Sequence, residues 1–277
     1  MLFDSHTHLN EDSFSSEERK LLLDGIKDSE LLKYVADIGY DLKSSKLAAK
    51  HAAENPWCVA AVGVHPHDSG SMTETIYNEI KELAAQEGVR AIGEIGLDYH
   101  YMRSGKEDQR YWFRRQIRLA NELKMPIVIH SREADQETMD ILIEEGALCK
   151  ERAEMFPPRV REDGKETLDC RVDIHCFSGS SELAKQYVEL GATIGICGPI
   201  TFKNNKKTVK VAKEIPLEYI MVETDAPEPY RGRPNKPWYV EHTAAKIAEI
   251  KGISFEEVAQ KTFENAVRFY GLKYETR

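Results

Sequence analysis

The chain has 277 residues, of which 41% are hydrophobic and 31% charged, a globular balance with enough apolar material for one large core. Its formal net charge is −9. That excludes binding to nucleic acid by global attraction, so a polyanionic substrate would need local positive charge or metal ions. Short apolar runs predict strands at 2–8, 34–39, 58–64, 90–97, 126–131, 171–177, 192–198 and 219–224. Near-continuous Val, Ile and Ala fits strands buried on both faces, as in a parallel sheet. Amphipathic stretches between them predict helices near 17–27, 43–54, 73–87, 107–123, 133–146, 180–190, 205–213 and 239–251. Ser180 caps one of them and Gly191 closes it.

Eight βα units in order predict a (β/α)8 TIM barrel, a single domain over residues 1–277 with its site at the C-terminal face of the strands. Residues 254–271 read as an extra helix or helix pair on the barrel exterior. Residues 148–170 are charged, contain Pro157–Pro158, and are too long for an ordinary αβ connection. They predict a surface insertion, a small hairpin at most, on the face opposite the site. The five cysteines are odd in number and form no CxxC pair, which argues against a disulfide framework or a Cys-ligated zinc site and fits a reducing cytoplasm. The first twelve residues lack the pattern of a secretory signal, and no apolar run approaches the roughly 20 residues that span a bilayer. A cytoplasmic protein with no membrane partner is expected.

His6 and His8 occupy alternate positions of the first strand, so both can point into the barrel mouth as a metal clamp. Two histidines packed in a polar core would look the same in isolation. Glu94, His130, His175 and Asp225 then fall at further strand ends. A carboxylate inside the apolar run at Glu94 is costly unless paired or bound to metal. Together the six predict a metal centre.

The segments HTHLN, GVHPHD, GEIGLDY, PIVIHSREA, HCFSGS and ETDAP, in this order and spacing, resemble the TatD family of metal-dependent deoxyribonucleases in the amidohydrolase superfamily. The resemblance runs from Leu2 to about Leu272. It implies two divalent ions, with His6, His8 and Asp225 on one, His130 and His175 on the other, and Glu94 bridging. Mixed imidazole and carboxylate ligation suits zinc, manganese or iron, with magnesium admissible where carboxylates dominate. The implied reaction is phosphodiester hydrolysis of DNA, at 3′ ends or in single strands, with Asp225 and Glu94 as catalytic groups. Asp225 would pass a proton from the attacking water to the leaving 3′-oxygen. His65 is the expected substrate contact, with His67 supporting it. Arg132 is placed to reach a phosphate or to pair with a neighbouring acid, and Tyr99 to stack on a base or pack at the rim. Lys203, Lys206 and Lys207 after the seventh strand, with Arg231, Arg233 and Lys236 after the eighth, track the nucleic-acid backbone or form a solvated charge run. The arginines at 110, 114, 115 and 118 and the histidines at 51 and 242 read as exterior residues without a substrate role. His100 has only its position near the mouth to recommend it.

Related barrels hydrolyse amides, lactones and phosphotriesters, and the wider family includes D-aminoacyl-tRNA deacylation. A carboxylated lysine between the metals would favour the amide branch; Glu94 supplies that carboxylate directly. A barrel that binds without catalysis would have lost ligands, and the set is intact.

Overall fold

The computed structural model describes residues 1–229, 232 and 234–273. The chain lays down strands β1 (Leu2–Thr7), β2 (Leu32–Ile38), β3 (Cys58–Val62), β4 (Val89–Asp98) and β5 (Ile127–Arg132). A small hairpin of β6 (Arg159–Val160) and β7 (Glu166–Thr167) follows, then β8 (Val172–Ile174), β9 (Thr193–Ile196) and β10 (Ile220–Val222). All but the hairpin join one parallel sheet in the order β1-β2-β3-β4-β5-β8-β9-β10. The sheet curls into a (β/α)8 barrel, and its seam is made by β1 with the chain just after β10. Asp225 N–H donates to the His6 carbonyl at 2.9 Å, and His8 N–H to the Ala226 carbonyl at 2.7 Å.

The connecting helices are α1 (Ser16–Lys27), α2 (Leu42–Glu54), α3 (Glu74–Ala84), α4 (Lys106–Leu123), α5 (Asp135–Glu144), the one-turn α6 (Lys150–Ala153), α7 (Ser181–Glu189), α8 (Lys206–Glu214) and α9 (Val240–Lys251), with α10 (Phe255–Phe269) last. Local chemistry sets their starts. Ser15 and Glu18 form a capping box on α1, and Ser180 caps α7 as predicted. The α4 arginines tie helices together laterally: Arg110 with Glu137, Arg114 with Glu144, Arg115 with Glu74 and Arg118 with Glu145.

Alternation along the strands makes two apolar layers. Ala60, Val62, Ile127, Ile129 and Val222 pack towards the helices, whereas Phe3, Val59, Ala61, Val128 and Met221 fill the barrel interior. The last helix departs from the exterior position expected of it. Phe263, Ala266, Phe269 and Tyr270 join that inner layer, so α10 plugs the N-terminal end of the barrel. Phe3 stacks on Tyr270 with centroids 5.5 Å apart, and Tyr270 Oη donates to the Ser5 carbonyl at 2.7 Å.

The 148–170 segment contains the hairpin and packs at the strand starts, opposite the mouth. It is more than a surface excursion, because Arg152 and Arg159 are each 1% exposed. Arg152 donates to the carbonyls of Met125 and Cys170, and Arg159 to Thr193 Oγ1 and Asp169. His51 is also not a surface residue: it is buried with Nδ1 2.6 Å from Asp37 Oδ2. Among the described residues no helix is long and apolar enough to cross a membrane.

If α10 closes the barrel, Phe263→Ala should cost about 3–5 kcal/mol of unfolding free energy. Tyr270→Phe, which strands a buried carbonyl, should cost about 1–3 kcal/mol. Urea denaturation measures both; a Phe263→Ala variant as stable as wild type would return α10 to the exterior.

Candidate metal centre

Simple alternation from Phe3 would turn His6 away from the interior. It does not, because the β1–β2 register slips between Asp4 and Thr7. A matching slip occurs in β4–β5 between Ile92 and Ile95. Those two residues are three apart yet both pack in the helix-facing layer, which turns Glu94 inward. Such irregularities re-aim side chains beside active sites. Gly96, at φ +150°, permits the close approach of β4 to β5, since a Cβ there would collide with the His130 carbonyl.

Six predicted ligands meet at the mouth. His6 Nε2 lies 3.3 Å from His8 Nε2, and the His6 ring stacks on His175 with centroids 3.4 Å apart. Asp225 Oδ1 is 3.3 Å from His8 Nε2, 3.5 Å from His175 Nε2 and 3.9 Å from His6 Nε2. Glu94 divides its oxygens: Oε2 is 3.6 Å from His6 Nε2 and 3.8 Å from His8 Nε2, while Oε1 is 2.8 Å from His130 Nδ1. Asp225 sits at φ +57°, a left-handed position that Asp tolerates, and its side chain keeps 23% exposure at the rim.

Beneath and beside these groups lies a set of orienting partners. His8 Nδ1–H donates to the Ile38 carbonyl at 2.7 Å, which aims Nε2 into the centre. Glu223 Oε1 stands 2.9 Å from His175 Nδ1, and Asp98 Oδ2 2.9 Å from His67 Nε2 and 3.2 Å from His130 Nε2. Asp4 accepts from Thr224 N–H at 2.8 Å, fixing the approach to Asp225.

The charges answer one another. Burial would raise the Glu94 carboxyl, yet His65, His130 and His6 hold it well below the usual carboxylate range. Asp225 is depressed in the same way, with His175 foremost against burial. Burial opposes protonation of His8 and His130, but the hydrogen bond of Asp225 to the first, and those of Asp98 and Glu94 to the second, push each up to about 9. His6 Nδ1 is buried with no hydrogen-bond partner. Packing imidazoles and carboxylates this tightly out of water is expensive unless a cation is shared among them. The donor set is one that divalent zinc, manganese or iron takes.

His65 joins the centre at 7% exposure, its Nε2 3.8 Å from Glu94 Oε1. Its Nδ1 accepts the His67 N–H at 3.1 Å, so the neutral ring carries its proton on Nε2 and offers a donor to the mouth. Burial and then His130 hold its pKa well below the ordinary value. Tyr99 is turned elsewhere: its hydroxyl donates to Glu137 at 2.8 Å and Lys106 covers its ring at 4.0 Å. An exposed aromatic at this rim is Tyr101, 51% exposed, with the guanidinium of Arg132 4.7 Å and that of Arg103 5.6 Å from its ring centroid. Arg132 is thus exposed at the rim, outside the cluster. His100 pairs with Glu133 at 2.7 Å. Lys203, Lys206 and Lys207 are exposed after β9; Arg231 and Arg233 lie outside the described residues. Sequence reading passed over Glu223, Asp98 and Tyr101. Glu223 carried a usable signal, being a carboxylate that directly follows the apolar run Ile220–Val222, two positions before Asp225.

A (β/α)8 barrel with this donor set at the ends of its strands is a metal-dependent hydrolase. The chain belongs to the family described as TatD related DNase, whose model matches residues 3–271. It is 38% identical to the uncharacterized metal-dependent hydrolase YabD of Bacillus subtilis, over 98% of this chain and 100% of that one. It is 34% identical to YcfH of Escherichia coli, over 77% and 74% of the two chains. It is 30% identical to the uncharacterized metal-dependent hydrolase TatD of Mycobacterium tuberculosis, over 98% of each. The crystal structure of YjjV, a TatD homolog from Escherichia coli, superposes with a TM-score of 0.81 at 23% identity over 98% of both chains, and so shares the fold.

Metal binding should release protons. His8 and His130 are protonated in the metal-free protein below pH about 9, and an incoming cation displaces those protons. Affinity for a divalent ion should therefore fall as pH drops from about 9 towards 6. Calorimetric titration in buffers of different ionisation enthalpy should show more than one proton released per protein at neutral pH; zero release would contradict the assigned charges.

Proposed function

We propose that this protein hydrolyses phosphodiester bonds of DNA, removing nucleotides from 3′ ends with two divalent ions at the mouth. The divided carboxylate of Glu94 carries the reading. One oxygen faces His6 and His8 and the other faces His130 and His65, the disposition of a group bridging two cations. One ion would be held by His6, His8 and Asp225, the other by His130 and His175. Bound there, two divalent ions supply Lewis-acid charge to the attacking and leaving oxygens of a phosphoryl displacement.

The chain's own groups complete the reaction. Asp225, ionised and reaching the rim, takes the proton of the attacking water and returns it to the departing 3′-oxygen. His65 Nε2–H donates to a non-bridging phosphate oxygen, a neutral donor fixed in direction before substrate arrives. Arg132 and Arg103, gathered on Tyr101, offer guanidinium groups to the neighbouring phosphates. The exposed lysines at 203, 206 and 207 extend positive charge along the same face. These local cations answer the repulsion that a net charge of −9 imposes on DNA.

The test is nucleotide release from 3′-labelled and 5′-labelled single-stranded DNA with Mg²⁺, Mn²⁺ or Zn²⁺. Metal-dependent stepwise loss of the 3′ label is expected, with Asp225→Asn slower by about 10²–10⁴-fold. Glu94→Ala should lose both activity and bound metal. Arg132→Ala should raise KM and flatten the salt dependence while sparing kcat. A metal-loaded wild type that releases no nucleotide would sink the DNase reading, and esters such as aminoacyl-tRNA would be the next substrates.

A further inference from the structure

A layer of thiols lies just inside the metal centre and takes no part in the hydrolysis described above. Cys176 follows His175 at the end of β8 and is partly exposed; Cys197 follows β9 and is 4% exposed. His175, Cys176 and Cys197 each present a ligand-type atom, and the three atoms lie within 4.8 Å of one another. Cys197 Sγ donates to Glu223 Oε1 at 3.3 Å, the oxygen that also stands 2.9 Å from His175 Nδ1 and accepts Cys176 N–H at 2.5 Å. Gly195 keeps room for this carboxylate, because a Cβ there would lie 2.5 Å from Glu223 Oε1.

A further observation points to a cation here. Glu223 Oε2 and both oxygens of Asp173 are buried without any hydrogen-bond partner. Asp173 and Glu223 are both 0% exposed; burial and the neighbouring Glu223 push the Asp173 carboxyl well up, so the negative charge of the layer sits on Glu223, which His175 holds down. Unpaired carboxylate oxygens out of water are costly unless a positive group answers them. The neighbouring sulfurs decide which cation suits: soft thiolate ligands select d¹⁰ ions such as Zn²⁺ and Cd²⁺ over Mg²⁺ or Mn²⁺. With zinc–sulfur bonds of about 2.3 Å, a tetrahedral ion separates its donors by roughly 3.8 Å, so the observed cluster needs only side-chain rotation to close on one.

We propose that Cys176, Cys197 and Glu223, beside Nδ1 of His175, form a binding site for a thiophilic divalent cation beneath the catalytic metals. Binding replaces two thiol protons with two metal–sulfur bonds and releases both protons to solvent. The partly exposed Cys176 provides the way in.

The experiment is a Cd²⁺ titration of the full chain with excess Mn²⁺ present to occupy the upper centre. It is read by the ultraviolet thiolate-to-cadmium charge-transfer band and by bound cadmium per chain. Wild type should develop the band at one equivalent. Cys197→Ala and Cys176→Ala should each lose most of it; the second site is partly exposed, so that variant keeps the test valid should the first fail to fold. Cys149→Ala, a thiol at the opposite end of the barrel, should keep the band in full. No band in wild type, or a band that survives in both Cys176→Ala and Cys197→Ala, would overturn the proposal, and neither result would touch the phosphodiesterase reading.

Discussion

Closure of the barrel at the seam between β1 and the chain after β10 is the constraint on which the site depends. Two backbone hydrogen bonds, Asp225 to the His6 carbonyl and His8 to the Ala226 carbonyl, join the first strand to the last. They set the histidine pair of β1 against the carboxylate that follows β10. The other ligands arrive on strands already in register with their neighbours, but Asp225 reaches His8 only because the ring is shut. The same seam is tied lower down by Ser5 Oγ on the Val222 carbonyl and by Tyr270 on the Ser5 carbonyl. The plug helix α10 therefore supports the metal centre from the far end of the barrel without touching it.

The interior changes character with height. At the bottom Phe3, Met221, Phe263 and Tyr270 exclude water and supply apolar burial. In the middle Asp173, Glu223 and Cys197 form a polar layer that is almost wholly buried. At the top imidazoles and carboxylates compensate one another. Each carboxylate there is held ionised by histidines, and His8 and His130 are held protonated by carboxylates. Low local dielectric strengthens these attractions and also makes any unmatched group costly. A divalent cation would replace the shared protons and satisfy the same carboxylates; without one, the cluster balances its charge by remaining protonated.

Much of this was legible in the sequence. Apolar runs located all eight barrel strands, and capping residues located helix starts such as that of α7. The six ligand-type residues could be read as one centre because parallel strands of a barrel deliver their C-terminal ends to a common face. Less legible were features fixed by a neighbour. Strand parity at His6 and Glu94 depends on register slips against β2 and β5, which no single strand reveals. The amphipathic pattern of α10 shows that one face is apolar but not that it seals the barrel end. Charged residues suggested a solvated insertion at 148–170, yet Arg152 and Arg159 are buried against backbone carbonyls at the strand starts. His51 likewise gave no sign of its buried partner Asp37. Tyr99 and Tyr101 are two residues apart in one loop, and only their contacts show which of them faces the rim.

The most direct test is metal-edge anomalous diffraction from crystals grown with Mn²⁺. Two peaks are expected at the strand ends, one in contact with nitrogens of both His6 and His8, the other in contact with His130 and His175, with one oxygen of Glu94 on each. A fully loaded crystal with peaks only elsewhere on the molecule, or with Glu94 touching neither ion, would contradict the account.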